Sequence, residues 1–127
     1  MEGRCTCGAV RYRLDSPPLF THCCHCRWCQ RQTGSPYVVN AMIETDRIQL
    51  LAGQPEMISI PSPSKIRFVR ACTLDDSDAL PPQLHIFTKY KQPWMVLPSN
   101  APSVPEFYRT ADYWPAESLA RWGDPRW

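Results

Sequence analysis

The chain has 127 residues, 43% of them hydrophobic, which suits one globular domain with a modest core and excludes a disordered chain. The net charge of +2 comes without any run of Lys or Arg, so nucleic acid and anionic membrane surfaces are not favoured as partners. The sequence shows neither a membrane-spanning run of ~20 apolar residues nor a signal peptide, so we expect a cytoplasmic protein whose seven cysteines are reduced.

The predicted elements are short. The 14 prolines argue against long helices, because proline lacks an N–H donor and disrupts helix interiors. Strand patterns occur, in chain order, at residues 9–14, 37–43, 47–51, 56–60, 65–71, 84–87 and 94–97. Gly53 is a plausible hairpin turn. Helices are predicted at 26–32, ended by Gly34, and at 114–122, with Pro115 at the first position. These patterns predict a single mainly β domain with a short C-terminal helix.

The strongest chemical signal is the thiol cluster Cys24, Cys26 and Cys29. A Cys-x-x-Cys turn can direct two thiolates at one zinc ion about 2.3 Å away, and soft thiolates favour zinc in an intracellular protein. Arg27 and Arg31 would favour the deprotonated sulfurs. The alternative is a group of buried or redox-active cysteines. We predict that these three residues bind zinc.

Three neighbours of this cluster have open roles. Cys23 points away from Cys24 if the segment is extended, which makes it a spectator or a spare ligand. His22 and His25 could be metal ligands, but a histidine beside thiolates is more often a hydrogen-bond donor to the ligands.

A second pair of thiols, Cys5 and Cys7, shares one face of the chain if that segment is extended. Two thiols on one face make half of a tetrahedral site, and Gly8 permits the tight turn that follows. We predict that this pair is also metal-related. Cys72 has no thiol near it in sequence and is predicted to be a small buried hydrophobic residue.

Several segments together resemble the glutathione-dependent formaldehyde-activating enzyme (GFA) family, which also contains the centromere protein V domain. Two of them are specific: Gly-Arg-Cys-Thr-Cys-Gly-Ala-Val-Arg-Tyr at 3–12 and Cys-His-Cys-Arg-Trp-Cys-Gln-Arg-Gln-Thr-Gly-Ser-Pro at 24–36. Gly53, Thr-Leu-Asp-Asp at 73–76 and His-Ile-Phe-Thr-Lys-Tyr-Lys-Gln-Pro-Trp at 85–94 support them. The resemblance spans nearly the whole chain.

The resemblance implies a small fold of short antiparallel strands, often called a β-tent, with two zinc sites. One site would use Cys24, Cys26 and Cys29 and keep one position open for a thiol. The other, structural, would use Cys5 and Cys7 with a later Cys-x-x-Cys pair.

That later pair is absent from this sequence. In the family it follows a loop like 61–64 and precedes a strand like 66–70, and here the two run together. Residues 1–127 are therefore expected to form a single GFA-like zinc-binding domain from which a segment is missing or deleted at 64–65. Such a loss would leave Cys5 and Cys7 without two ligands.

For function, the resemblance implies a carbon–sulfur lyase that joins formaldehyde to glutathione as S-hydroxymethylglutathione, with a small thiol or its aldehyde adduct as partner. Thr33, Gly34 and Ser35 could bind substrate at the pocket edge, or simply form the turn that ends the helix. His85, Lys89 and Trp94 could line the pocket, although ordinary structural roles are expected for each.

Two other functions compete with this one. The centromere branch suggests a non-catalytic zinc module that binds a protein or nucleic acid, but such modules usually carry a basic tail or patch that this chain lacks. The adjacent Cys23 and Cys24 suggest a zinc buffer or thiol redox sensor. The C-terminal aromatic residues could seal the core or form a homodimer contact, and the sequence leaves both open.

Overall fold

Short strands dominate residues 1–56 and 65–123, which are the residues described by this computed structural model. The strands are β1 (Glu2–Arg4), β2 (Arg11–Leu14), β3 (Phe20–Cys24), β4 (Val38–Glu44), β5 (Ile48–Ala52), β6 (Ile66–Arg70) and β7 (Leu84–Ile86). The α-helices are α1 (Arg27–Thr33), α2 (Thr110–Tyr113) and α3 (Ala116–Trp122), and 3₁₀ turns cover Thr45–Arg47, Ala71–Thr73, Ser77–Ala79 and Thr88–Tyr90. The mainly β class expected from the sequence is confirmed.

The strands form two sheets. One is three-stranded, in the order β1-β2-β5, and the other is four-stranded, in the order β6-β4-β3-β7. All pairs are antiparallel except β3 with β7, which are parallel. The short antiparallel strands expected from the family resemblance are thus present, and the β3–β7 pair is an exception to that direction. A long connection after β6, rather than a hairpin, leads into β7 and permits the parallel direction.

Strand β3 is buried over its whole length because both faces of the larger sheet are covered. On one face Phe20 stacks against Trp114 with 6.1 Å between ring centroids. On the other face Ile43, from the neighbouring strand β4, packs with Leu14 of the smaller sheet. Successive residues of β3 therefore enter two different buried environments, which matters for its cysteines and histidine.

Several sequence predictions changed in the structure. Strands β1 and β3 were not predicted, β3 because a strand buried on both faces need not alternate apolar and polar residues. The strand predicted at 94–97 is wrong: Trp94 and Val96 are 71% and 87% exposed, and prolines at 93 and 98 interrupt any ladder. The predicted strand 56–60 and loop 61–64 lie outside the described residues, apart from Glu56.

The C-terminal segment closes the core. Helix α3 begins at Ala116, with Pro115 just before it, and Trp122 packs against the main core cluster. Trp114 is only 5% exposed, whereas Tyr113 remains 37% exposed. Within the described ranges, no helix has both the length and the apolar character to cross a membrane.

The fold depends on glycine at position 53. We therefore expect Gly53→Ala to destabilise the protein more than Gly34→Ala does. Both glycines have left-handed backbones, with φ of +73° and +66°. A Cβ at Gly53 would lie 2.3 Å from the Ala9 carbonyl oxygen, whereas one at Gly34 meets nothing within 4 Å. We expect a loss of about 1 kcal/mol for Gly34→Ala and about 2 kcal/mol or more for Gly53→Ala, measured by urea unfolding. Equal losses would contradict the close approach.

Candidate metal centre

The end of β3 and the start of α1 bring Cys24, Cys26 and Cys29 together. Cys24 is the last residue of β3, and Cys26 is the residue that caps α1. The Cys26 sulfur accepts a hydrogen bond from the Cys29 backbone N–H at 3.3 Å, which folds the chain back so that all three sulfurs lie within 4.8 Å of one another. Cys24 and Cys29 are buried and Cys26 is half-buried. The expected grouping of three thiols is present.

The pKa values of Cys24 and Cys29 are shifted in opposite directions. The pKa of Cys29 is lowered to about 6, chiefly by the Cys24 thiol, which is hydrogen-bonded to the Cys29 sulfur, and also by Cys26 and the Arg70 guanidinium. The same hydrogen bond, together with burial, raises the pKa of Cys24. A neighbouring thiol and a cation therefore favour the thiolate form of Cys29 over that of Cys24.

Arg70 links this thiolate to a buried polar chain. The Arg70 guanidinium donates to the Asn40 side-chain oxygen at 2.5 Å, and the Asn40 amide lies 3.4 Å from His22 Nε2. His22 Nδ1 lies 3.3 Å from the Tyr108 hydroxyl. Burial lowers the pKa of His22 to about 3, so its ring is neutral and can accept from Asn40. His22 therefore supports the residues around the cluster and is directed at Asn40 and Tyr108.

The donor set fits zinc. Three sulfurs at about 2.3 Å from a tetrahedral zinc lie about 3.8 Å from one another, compatible with the observed grouping within 4.8 Å. Apart from zinc, few biological metals prefer thiolate ligands. Cys24, Cys26 and Cys29 could therefore hold zinc through three protein ligands and leave a fourth position for a small molecule.

Gln30 anchors α1 beside this cluster. Its side-chain amide donates to the backbone carbonyls of His25, at 2.6 Å, and Tyr90, at 3.0 Å. Its side-chain oxygen accepts from Arg27 at 3.0 Å and from Gln92 at 2.7 Å. Gln30 is 8% exposed, and its bonds to Tyr90 and Gln92 fix the helix carrying Cys29 to the segment after β7, while those to His25 and Arg27 fix the start of the helix.

A cavity of about 570 Å³ lies along the outer side of α1. It is lined by Arg27, Gln30, Arg31, Gly34, Ser35, Pro36, Gln92 and Trp94. The thiols of the cluster lie on another side of the helix, since Cys29 is about 200° around the helix axis from Arg27. The cavity thus offers two guanidinium groups on the helix that carries Cys29, and none of the three thiols is among its lining residues.

The residues predicted to bind substrate have different positions. Gly34 and Ser35 line the cavity. The Thr33 hydroxyl instead donates to the Cys29 carbonyl at 2.9 Å and accepts from the Ser35 N–H at 3.3 Å, so it helps to end the helix. Among the other candidates, Trp94 lines the cavity, whereas Lys89 forms an ion pair with Glu106.

Cys5 and Cys7 lie at the β1–β2 turn with 3.2 Å between their sulfurs. The Val10 N–H donates to the Cys5 sulfur at 3.3 Å, and this bond is the main reason that the pKa of Cys5 is lowered to about 7. Cys7 is exposed. Within residues 1–56 and 65–123, no third Cys, His, Asp or Glu joins this pair in a metal-binding group.

The structure also shows features that the sequence analysis missed. Cys72 is exposed, so its prediction as a buried hydrophobic residue is wrong.

A second group of metal-binding residue types, Cys23, His25 and His85, is buried on the opposite face of β3. The sequence could have indicated it, since Cys23 and His25 alternate with Cys24 and Cys26, but only if β3 had been predicted as a strand.

Two comparisons with known proteins bear on this site. The family model described as "Glutathione-dependent formaldehyde-activating enzyme" matches residues 1–65, about half of the chain. A Halomonas elongata protein described as "Putative glutathione-dependent formaldehyde-activating enzyme" is 26% identical over 151 aligned positions, covering 96% of this chain and 93% of the relative. The family-model match includes the segments that carry Cys5, Cys7 and the three-thiol cluster.

Proposed function

Because this chain belongs to the glutathione-dependent formaldehyde-activating enzyme family, we propose that it is a zinc-dependent enzyme that handles the carbon–sulfur bond of a thiol–aldehyde adduct. The observation that supports this most is the convergence of the Cys24, Cys26 and Cys29 sulfurs within 4.8 Å. A zinc-binding module without catalysis is the alternative that the exchange experiment below separates from it, and a thiol redox sensor is the other alternative.

The charge of the site favours sulfur chemistry. Three thiolates and one Zn²⁺ carry a net formal charge of −1, which makes such a zinc a poor activator of water compared with zinc held by neutral histidines. Zinc bound there would stabilise the thiolate form of an incoming thiol. In the proposed reaction a new bond joins the thiol sulfur to the aldehyde carbon, and the thiol proton ends on the former carbonyl oxygen. No electrons are gained or lost.

The cavity beside α1 indicates which thiols would be preferred. Arg27 and Arg31 place two guanidinium groups at its wall, and guanidinium binds carboxylates well. Gln92 and Ser35 add polar groups that suit a peptide backbone. We propose that the substrate thiol is a small anionic peptide such as glutathione, positioned by this cavity so that its sulfur approaches the half-buried side of the cluster at Cys26.

The activity can be measured by exchange. In ¹³C exchange NMR of formaldehyde with glutathione, the zinc-loaded protein should speed exchange between free formaldehyde and S-hydroxymethylglutathione above the spontaneous rate. The same protein stripped of zinc by a chelator should not. An identical exchange rate in both samples, with zinc verified in the loaded one, would exclude the catalytic proposal and leave the non-catalytic module.

Arg31→Ala tests the role of the cavity. Loss of one guanidinium should raise the KM for glutathione about tenfold, by the ~1–2 kcal/mol of a charge-assisted hydrogen bond, with little change in kcat. With 2-mercaptoethanol, which has no carboxylate, KM should be unchanged. Arg13→Ala is the matched control, because Arg13 lies on β2, forms an ion pair with Glu2 of β1 and does not line the cavity. Equal effects of Arg31→Ala on both thiols would contradict the proposal.

The domain is proposed to be a single one, residues 1–127, that lacks a segment at 64–65. The match to the family model ends at residue 65, and the alignment with the Halomonas relative has 151 positions against 127 residues here, so it contains gaps in this chain. Residue 64 itself lies outside the described residues. Under this proposal the Cys5–Cys7 pair is the remaining half of a structural zinc site.

A further inference from the structure

The geometry points to a second, separate metal site formed by Cys23, His25 and His85 on the opposite face of β3, and we propose that it binds Zn²⁺ through one thiolate and two imidazoles. The proposal does not depend on the proposed function, because none of its ligands belongs to the three-thiol cluster.

The backbone brings these side chains to one face. Cys23 and His25 are two residues apart on an extended segment, whose pairing with β7 continues through the His25 N–H bond to the Ile86 carbonyl at 3.0 Å. His85 is the Cα partner of Cys23 in the parallel β3–β7 pair, so its side chain emerges on the same face. Cys24 and Cys26 leave the strand on the other face, toward the three-thiol cluster.

The distances between ligand atoms match a tetrahedral zinc. His25 Nε2 lies 3.6 Å from the Cys23 sulfur and 3.0 Å from His85 Nδ1, and all three atoms lie within 4.8 Å of one another. With zinc–sulfur and zinc–nitrogen bonds of about 2.3 and 2.05 Å, tetrahedral geometry places sulfur and nitrogen about 3.6 Å apart and two nitrogens about 3.3 Å apart. Small shifts would thus place one ion at the centre of the three atoms.

Within the described residues, no hydrogen bond to an outer ring nitrogen fixes the tautomer of either histidine. His25 Nδ1 and His85 Nε2 are buried, and neither has a hydrogen-bond partner in the part of the chain that the structure describes. Each ring can therefore carry its proton on the outer nitrogen and direct an inner lone pair at the common point. Without an ion, one ring donates to the other across the 3.0 Å between His25 Nε2 and His85 Nδ1, which leaves one buried outer nitrogen as an unsatisfied acceptor and the other as an unsatisfied donor among the described residues.

The environment suits a small ion and no larger ligand. Cys23, His25 and His85 are at most 4% exposed. Val39, the Cα partner of Cys23 on β4, lines a cavity of about 420 Å³, which brings solvent next to this face. One thiolate and two neutral imidazoles are ligands of borderline softness, which favours Zn²⁺ over Ca²⁺ or Mg²⁺. Binding would release the Cys23 thiol proton and give the site a net formal charge of +1.

The direct test uses the intact wild-type protein loaded with ¹¹³Cd²⁺ as a probe for zinc. We expect one cadmium resonance with scalar coupling to the β protons of Cys23 and to the ring protons of both His25 and His85. A different resonance should couple only to the β protons of Cys24, Cys26 and Cys29. If saturating cadmium gives no resonance coupled to the two histidine rings, the pair is only a hydrogen-bonded couple and the proposal is overturned.

Variants give a second readout by native mass spectrometry. His85→Gln should bind one zinc ion fewer than the wild type while the three-thiol cadmium resonance stays in place. Gln32→Ala is the control and should keep the wild-type count, because Gln32 is exposed and belongs to neither group of metal-binding residue types. An unchanged count in His85→Gln overturns the proposal, and if that variant does not fold, the wild-type couplings decide. If only the proposed function is wrong, the wild-type protein will show both cadmium resonances but will not speed the exchange of formaldehyde with glutathione.

Discussion

Replacing Cys29 with serine is expected to lower the zinc affinity of the three-thiol cluster by about 100-fold or more, since structural zinc sites derive ~3 kcal/mol from each of four ligands. Within the cluster, Cys24, Cys26 and Arg70 lower the pKa of Cys29, so the variant removes a sulfur whose thiolate form the site favours. Exchange of formaldehyde with glutathione should fall to the spontaneous rate. Competition with a chromophoric chelator measures the affinity, and exchange NMR measures the activity.

Cys72→Ser is the control for this prediction. It also removes one thiol, but an exposed one outside the cluster, so zinc affinity and exchange rate should match those of the wild type. Wild-type activity in Cys29→Ser, with the zinc of the cluster lost, would show that the three-thiol site is not the catalytic one. Wild-type zinc affinity in that variant would show that the site does not bind zinc through Cys29.

Gln30→Ala is expected to reduce the free energy of unfolding by about 2–4 kcal/mol, the largest stability effect predicted for a polar side chain in this protein. The change deletes four hydrogen bonds and leaves the His25 and Tyr90 carbonyls without the amide that now satisfies them. Because Gln30 follows Cys29, the variant should also bind zinc more weakly. Urea unfolding of the zinc-loaded protein, followed by circular dichroism, measures the loss.

The matched control is Gln32→Ala on the same helix. Gln32 is exposed, so its replacement should change stability by no more than about 0.5 kcal/mol. A loss in Gln30→Ala no larger than that in Gln32→Ala would contradict the anchoring role. Gln30→Glu provides a further comparison, because it keeps the size of the side chain but cannot donate to the two carbonyls.

The three-thiol cluster could be predicted because its determinants are local. Cys26 and Cys29 are one helical turn apart, and the turn that joins them is stabilised by the Cys26 sulfur itself. Gly34 ends α1 with a left-handed backbone, as its position in the sequence indicated. Spacing along the chain is enough to predict the three-thiol cluster and the end of α1, since neither feature depends on which strand pairs with which.

The opposite face of β3 could not be predicted in the same way. His85 reaches Cys23 only because β7 joins β3 in parallel, across some sixty residues of sequence. Burial on both faces removed the alternation that would have marked β3 as a strand. The role of Gln30 was hidden for a related reason. Its side-chain amide donates to two backbone carbonyls, and a backbone carbonyl has no signature in a sequence.

Pattern alone also misled at residues 94–97. The apolar run there resembles a strand, but Trp94 is exposed and contributes to the cavity wall instead. A strand needs a partner with free backbone groups, and the prolines on either side of the run prevent a regular ladder. Tertiary pairing and burial, rather than local composition, decided the structure of this segment.

Native mass spectrometry of the purified protein, beside a denatured control, tests the central claim most directly. The denatured chain should have the mass of 14.6 kDa given by the sequence. The native wild type should carry zinc, and Cys29→Ser should carry one ion fewer at a matched free-zinc concentration. A native wild type that takes up no zinc, or a Cys29→Ser variant with an unchanged zinc count, would contradict the assignment of Cys24, Cys26 and Cys29 as the metal centre.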